Sequence, residues 1–137
     1  MNTPRTAASV PVRVAPATSN ELVLHGLRST FDPFADRVEL MAPEAARGAD
    51  VVLLDATGLP DDGVAAATAA REATERPVLV ISEHTDERTL LRLFRAGITG
   101  YVTRPAEART LVDHVVDVAG GQMVVDPEIA LRAVALA

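Results

Sequence analysis

Two patterns of apolar residues alternate along this chain. Short unbroken runs, Val51-Val-Leu-Leu54 and Val78-Leu-Val-Ile81, end abruptly in polar side chains, Asp55 and Ser82. Such runs, bounded by turn residues, predict strands buried on both faces, as in a parallel sheet covered by helices. Between them lie longer segments with apolar residues at helical spacing, such as Val23, Leu27 and Phe31, or Leu111, Val115 and Val118.

Taken in order, residues 1–9 are small and polar and are expected to be a disordered lead-in. A first strand is predicted over 10–15. Thr18-Ser-Asn-Glu21 then fits a capping box opening a helix that runs to Thr30 or Phe31, where Asp32-Pro33 breaks it. Arg37 to Met41 alternates as a second strand. Only eight residues, Ala42 to Ala49, separate it from the run ending at Asp55. A second helix there is limited to one or two turns, with Gly48 as its cap. A helix follows over 64–75, a strand over 78–82, and a helix capped by Thr85 that ends at Ala96-Gly97. Then come a strand over 98–103, a turn at Arg104-Pro105, a helix over 107–119 closed by Gly120-Gly121, and a last helix from Glu128.

This alternation predicts an α/β, doubly wound, five-stranded parallel sheet. Asp55, Ser82 and Arg104 end successive strands and so fall on the carboxyl edge, where such sheets carry their sites. Asp61 and Asp62 follow in the next loop and read as solvated turn residues.

Composition narrows the function. One domain of 137 residues has room for a single core, built here from aliphatics because only Phe31, Phe34, Phe94 and Tyr101 are aromatic. With a net charge of −6 and no basic cluster, direct contact with nucleic acid is not expected. His25, His84 and His114 have no ligand spacing, and the chain has no cysteine, so no metal site is assigned to these residues. The lack of cysteine fits the cytoplasm. No run reaches the about 18 apolar residues of a membrane span.

The motifs Val-Val-Leu-Leu-Asp55 with Gly63 eight residues on, Pro-Val-Leu-Val-Ile-Ser82, and Ala-Gly-Ile-Thr-Gly-Tyr101-Val-Thr-Arg104-Pro105 appear in a characteristic order. In this they resemble the receiver domains of two-component response regulators of the NarL/FixJ (LuxR-type) subfamily. The resemblance covers residues 10–136 and implies a flavodoxin-like (CheY-like) sheet of order 2-1-3-4-5. It places Asp55 at the phosphoacceptor position, Ser82 at the switch hydroxyl, Tyr101 at the switch aromatic, and Arg104 at the position of an invariant lysine. Pro105 matches a proline that is often cis in the family. Family receivers hold Mg²⁺ with two acids after the first strand together with the phosphoacceptor, and this chain has Thr18 and Ser19 at those two places. Two hydroxyls are poor replacements for hard anionic ligands, so Mg²⁺ binding is expected to be weak or absent. Arginine keeps the lysine's charge but not its compact shape.

The expectation is therefore a degenerate receiver, residues 10–121, without enzymatic activity and independent of phosphorylation, in which Arg104 pairs with Asp55. Residues 122–137 resemble a linker helix leading to a helix-turn-helix effector absent from this chain, through which alone DNA would be reached. A homodimer is expected through the helix over 107–119. Its Val112, Val116 and Ala119 add a second apolar stripe, and its Asp113 and Asp117 could meet Arg88, Arg92 and Arg95 of a partner. Two alternatives stay open. One is a conventional receiver phosphorylated weakly on Asp55 by a histidine kinase. The other is a sensor holding a small molecule near Thr18, Ser19, Asp55 and Ser82. A flavodoxin-like enzyme is disfavoured, because no glycine-rich phosphate loop follows the first strand.

Overall fold

The computed structural model describes residues 10–18 and 20–136; the expectations for residues 1–9 and for Ser19 lie outside that range. Among the described residues six strands run parallel: β1 (Val12–Pro16), β2 (Val38–Leu40), β3 (Val51–Asp55), β4 (Val78–Ser82), β5 (Gly100–Thr103) and β6 (Val124–Val125). Their order is β2-β1-β3-β4-β5-β6. The order expected for the first five strands is present, and the count of five is corrected to six. β6 pairs Val124 with Gly100 and Val125 with Tyr101. Two residues carry no periodic signal, so this strand was invisible in the sequence.

Five α-helices of the described residues cover the sheet: α1 (Glu21–Phe31), α2 (Val64–Thr74), α3 (Glu87–Arg95), α4 (Ala108–Ala119) and α5 (Pro127–Leu136). Because side chains alternate along a strand, β3 feeds two cores at once. Val52 and Leu54 join Leu90, Leu93, Ile129 and Ala133 under α2, α3 and α5. Val51 and Leu53 join Phe31, Leu111, Val115 and Val118 under α1 and α4. That double demand explains the unbroken apolar runs. Among the described residues, no helix is long and apolar enough to cross a membrane.

The short second helix is not α-helical. Pro43–Gly48 forms 3-10 turns, because the eight residues from Ala42 to Ala49 must cross from β2 over β1 to β3 and are too few to include an α-helix. The caps also differ from expectation. Asn20, not Thr18, caps α1, its side chain accepting from the N–H groups of Leu22 and Val23. Glu21 is already the first helical residue and cannot reach back as a capping box requires. Asp86, not Thr85, caps α3 by accepting from Thr89 N–H. The side chain adjoining the first helical turn wins in both cases.

The surface expected to face a partner is largely used within the chain. Val112 is fully buried, and Val116 and Ala119 pack against the α1–α4 core. Arg92 pairs with Asp61 at 2.8 Å and Asp113 with Arg37 at 2.8 Å, both at the surface. Asp61 and Asp62 are exposed loop residues, as expected; their left-handed backbone brings the loop after β3 against α3, where Asp61 meets Arg92.

Residues 122–136 are built into the domain. Asp126 Oδ2 accepts from Thr103 N–H at 3.0 Å, Thr103 Oγ1 at 2.7 Å and Thr85 Oγ1 at 2.9 Å. Ile129 and Ala133 are buried beside α3.

Two glycines should respond oppositely to alanine. A Cβ on Gly100 would lie 2.9 Å from Leu79 Cδ1 and Val118 Cγ2, and 3.0 Å from Leu79 Cα. Gly100→Ala should therefore lose about 1–3 kcal/mol to overpacking. A Cβ on Gly26, within α1, meets nothing within 4 Å, so Gly26→Ala should gain up to about 1 kcal/mol of helix propensity. Urea denaturation should move the two midpoints in opposite directions.

Candidate functional site

β3 and β5 end on the same edge of the sheet, separated by β4. This register brings Asp55 and Arg104 together across 49 residues of chain. Arg104 Nη1 donates to Asp55 Oδ2 at 2.8 Å, and Arg104 Nη2 to Asp55 Oδ1 at 3.1 Å. The pairing is bidentate, the geometry in which a guanidinium fork matches a carboxylate best. Thr57 completes it: its N–H donates to Asp55 Oδ1 at 3.0 Å, and its Oγ1 accepts from Arg104 Nη2 at 2.7 Å. Thr57 was missed in the sequence reading. The available signal was Asp-Ala-Thr directly after a strand, since an aspartate readily accepts from the N–H two residues on.

Burial pushes the Asp55 carboxyl up, but the hydrogen bonds from Arg104 and Thr57 outweigh it and hold the group below the ordinary carboxylate range. The same pairing raises Arg104. The Asp55 side chain is 31% exposed and that of Arg104 is 44% exposed, so water reaches the pair and screens it.

The other expected members do not join this cluster. Ser82 Oγ donates to His84 O at 2.8 Å and accepts from His84 N–H at 3.3 Å, so its hydroxyl is engaged within its own loop. Tyr101 is buried and its hydroxyl accepts from Asp86 N–H at 3.2 Å. Burial pushes its phenol up. Thr18 lies on the cleft beside Asp55, its hydroxyl accepting from Asn20 N–H at 3.1 Å. Glu21, the nearest acid in sequence, lines a different cleft with Arg28 and Leu40. The peptide bond before Pro105 is trans, which corrects the expectation of a cis-proline. Among the described residues, no three His, Cys, Asp or Glu side chains converge as metal ligands.

No family model matches the chain. Among solved structures, it is similar to a LuxR-family two-component response regulator from Aurantimonas sp. SI85-9A1. That match has a TM-score of 0.70 and 23% identity, covering 93% of this chain and 98% of that one. The signal receiver domain of the response regulator NarL from Mycobacterium tuberculosis is 25% identical with a TM-score of 0.63, over 83% of this chain and 100% of that one. The response regulator ChrA of a heme-sensing two-component system is 30% identical with a TM-score of 0.61, over 92% of this chain and 65% of that one. The chain has the fold of response-regulator receiver domains and is similar in sequence to them. A curated relative, the transcriptional regulatory protein KdpE of Staphylococcus aureus, is 40% identical over 57 residues. Those residues are 41% of this chain and only 24% of that protein. Receiver domains are signalling modules, and here the two residues that the resemblance set at the phosphoacceptor and lysine positions, Asp55 and Arg104, form a closed pair.

The pair has a pH signature. Because the folded-state pKa of Asp55 is depressed, its contribution to stability is complete above the ordinary carboxylate range and is lost as pH falls through the lowered value. Arg104→Met removes the donors while keeping the length. A carboxyl-carbon NMR titration should then place Asp55 higher than in the parent domain, since burial acts with less opposition.

Proposed function

We propose that this receiver domain regulates without ordinary phosphorylation of Asp55. The observation that carries this reading is that both carboxylate oxygens of Asp55 are engaged, by Arg104 and by Thr57. A nucleophile must present a free lone pair in line with the phosphoryl group; here Oδ1 accepts two hydrogen bonds and Oδ2 is held by the guanidinium, so attack requires Arg104 to give way.

The donor set does not fit Mg²⁺. A hard cation is held by several anionic oxygens, whereas Asp55 is the one carboxylate of this cluster among the described residues and its neighbours are Thr18, Thr57 and a guanidinium. The cation that offsets Asp55 is Arg104. Without a metal, approach of a phosphoryl donor loses the charge stabilisation that such ions supply, worth several kcal/mol at the transition state. Ser82, engaged by His84, is also turned from the role of phosphoryl ligand. The output then comes from a fixed arrangement of the carboxyl edge, passed to an effector such as a helix-turn-helix domain outside this chain.

The test is incubation with acetyl phosphate and Mg²⁺, read by intact mass beside Asp55→Asn. The reading expects no phosphoryl adduct above that control. It expects an adduct to appear when Thr18→Asp, Ser19→Asp and Arg104→Lys are combined. An adduct on the parent domain that disappears in Asp55→Asn would make this a working phosphoacceptor.

A further inference from the structure

The Asp55–Arg104 pair sits at one end of a cleft of about 750 Å³ between α1 and α4. That is within the roughly 300–1,000 Å³ of small-molecule sites. Its bed is apolar: Leu53 and Ile81 form the floor, with Val23 and Leu27 on the α1 side and Leu111 on the α4 side. Gly26 keeps the α1 wall open, since a Cβ there would meet nothing within 4 Å.

The electrostatics of the cleft restrict what fits. Asp55 and Arg104 neutralise one another, so the polar end offers no net charge to a ligand. Glu107, exposed at the rim, adds a carboxylate that opposes an anion. Arginine has five N–H donors. Three are engaged by Asp55 and Thr57, and the other two have no acceptor among the described residues. A ligand that suits these features is uncharged, mainly apolar, and carries a carbonyl or hydroxyl oxygen at one end.

We propose that the α1–α4 cleft is a binding site for an uncharged, largely apolar small molecule whose oxygen acceptor meets Arg104. The bound molecule fills the gap between the two helices and touches the ion pair. The inference rests on the reading of a closed Asp55–Arg104 pair.

The probe is prodan, a neutral naphthalene ketone whose emission shifts to the blue in an apolar site. Titrated with the parent domain, it should give a saturable blue shift. Gly26→Leu, which fills the cleft from a position open to a side chain, should weaken that binding at least tenfold with an unchanged circular dichroism spectrum. Ala69→Leu, an exposed position of α2 on the opposite face of the sheet, should leave it unchanged. The absence of a saturable shift, or full binding by Gly26→Leu, would overturn the proposal. Loss of binding in Ala69→Leu equal to that in Gly26→Leu would do the same. No phosphoryl donor is present in this assay. A phosphorylated Asp55 in the mass experiment would therefore overturn the earlier reading and leave the dye result standing, whereas failed dye binding overturns only the cleft.

Discussion

The bidentate contact of Arg104 with Asp55 is the constraint around which the carboxyl edge of this receiver domain is arranged. Its worth to stability is modest, because both side chains remain partly exposed and pairs of that kind contribute about 0–1 kcal/mol. Its worth to function lies in occupancy. A carboxylate that accepts two hydrogen bonds from one guanidinium, and a third from a backbone N–H, has three of its about four lone-pair sites filled and its charge already paired. Lysine at the same place would offer a compact charge on a flexible stem. The planar fork of arginine instead matches the carboxylate edge to edge and also reaches Thr57.

This contact is linked to the far end of the chain through one residue. Arg104 follows Thr103, whose N–H and hydroxyl both donate to Asp126 at the start of α5. Asp126 also accepts from Thr85, in the loop that follows Ser82. The ends of β4 and β5 and the first turn of α5 are therefore joined by one carboxylate. α5 in turn buries Ile129 and Ala133 beside α3. The Asp55 edge and the last helix are thus joined through Arg104, Thr103 and Asp126.

Much of the fold was legible because its strands obey a strong constraint. Covered on both faces, β3 and β4 must be apolar at every position, and no helix of a half-exposed surface shows that pattern. The pairing of Asp55 and Arg104 was legible because strand ends on one edge of a parallel sheet converge whatever the intervening loops do. The failures share a cause as well. Thr18 and Asn20, or Thr85 and Asp86, satisfy local capping rules equally, and the choice depends on where the backbone turns into the helix. The pairs Arg92–Asp61 and Arg37–Asp113 depend on tertiary placement that no local spacing encodes. The cis form at Pro105 was carried over from a family pattern, and the residues around it hold no signal for the isomer. Ser82 was placed at the right edge, yet the direction of its hydroxyl follows from a two-residue turn with His84.

The central claim is that Asp55 is held by Arg104 and has no second carboxylate beside it, among the described residues, with which to hold a metal. The most direct measurement is a Mg²⁺ titration followed by backbone amide NMR of the domain, watching Asp55, Thr57 and Arg104. The account predicts no saturable shift at these amides in the millimolar range. Saturable shifts centred on Asp55 and Thr57, abolished by Asp55→Asn, would show that the carboxylate leaves Arg104 for the metal and would contradict it.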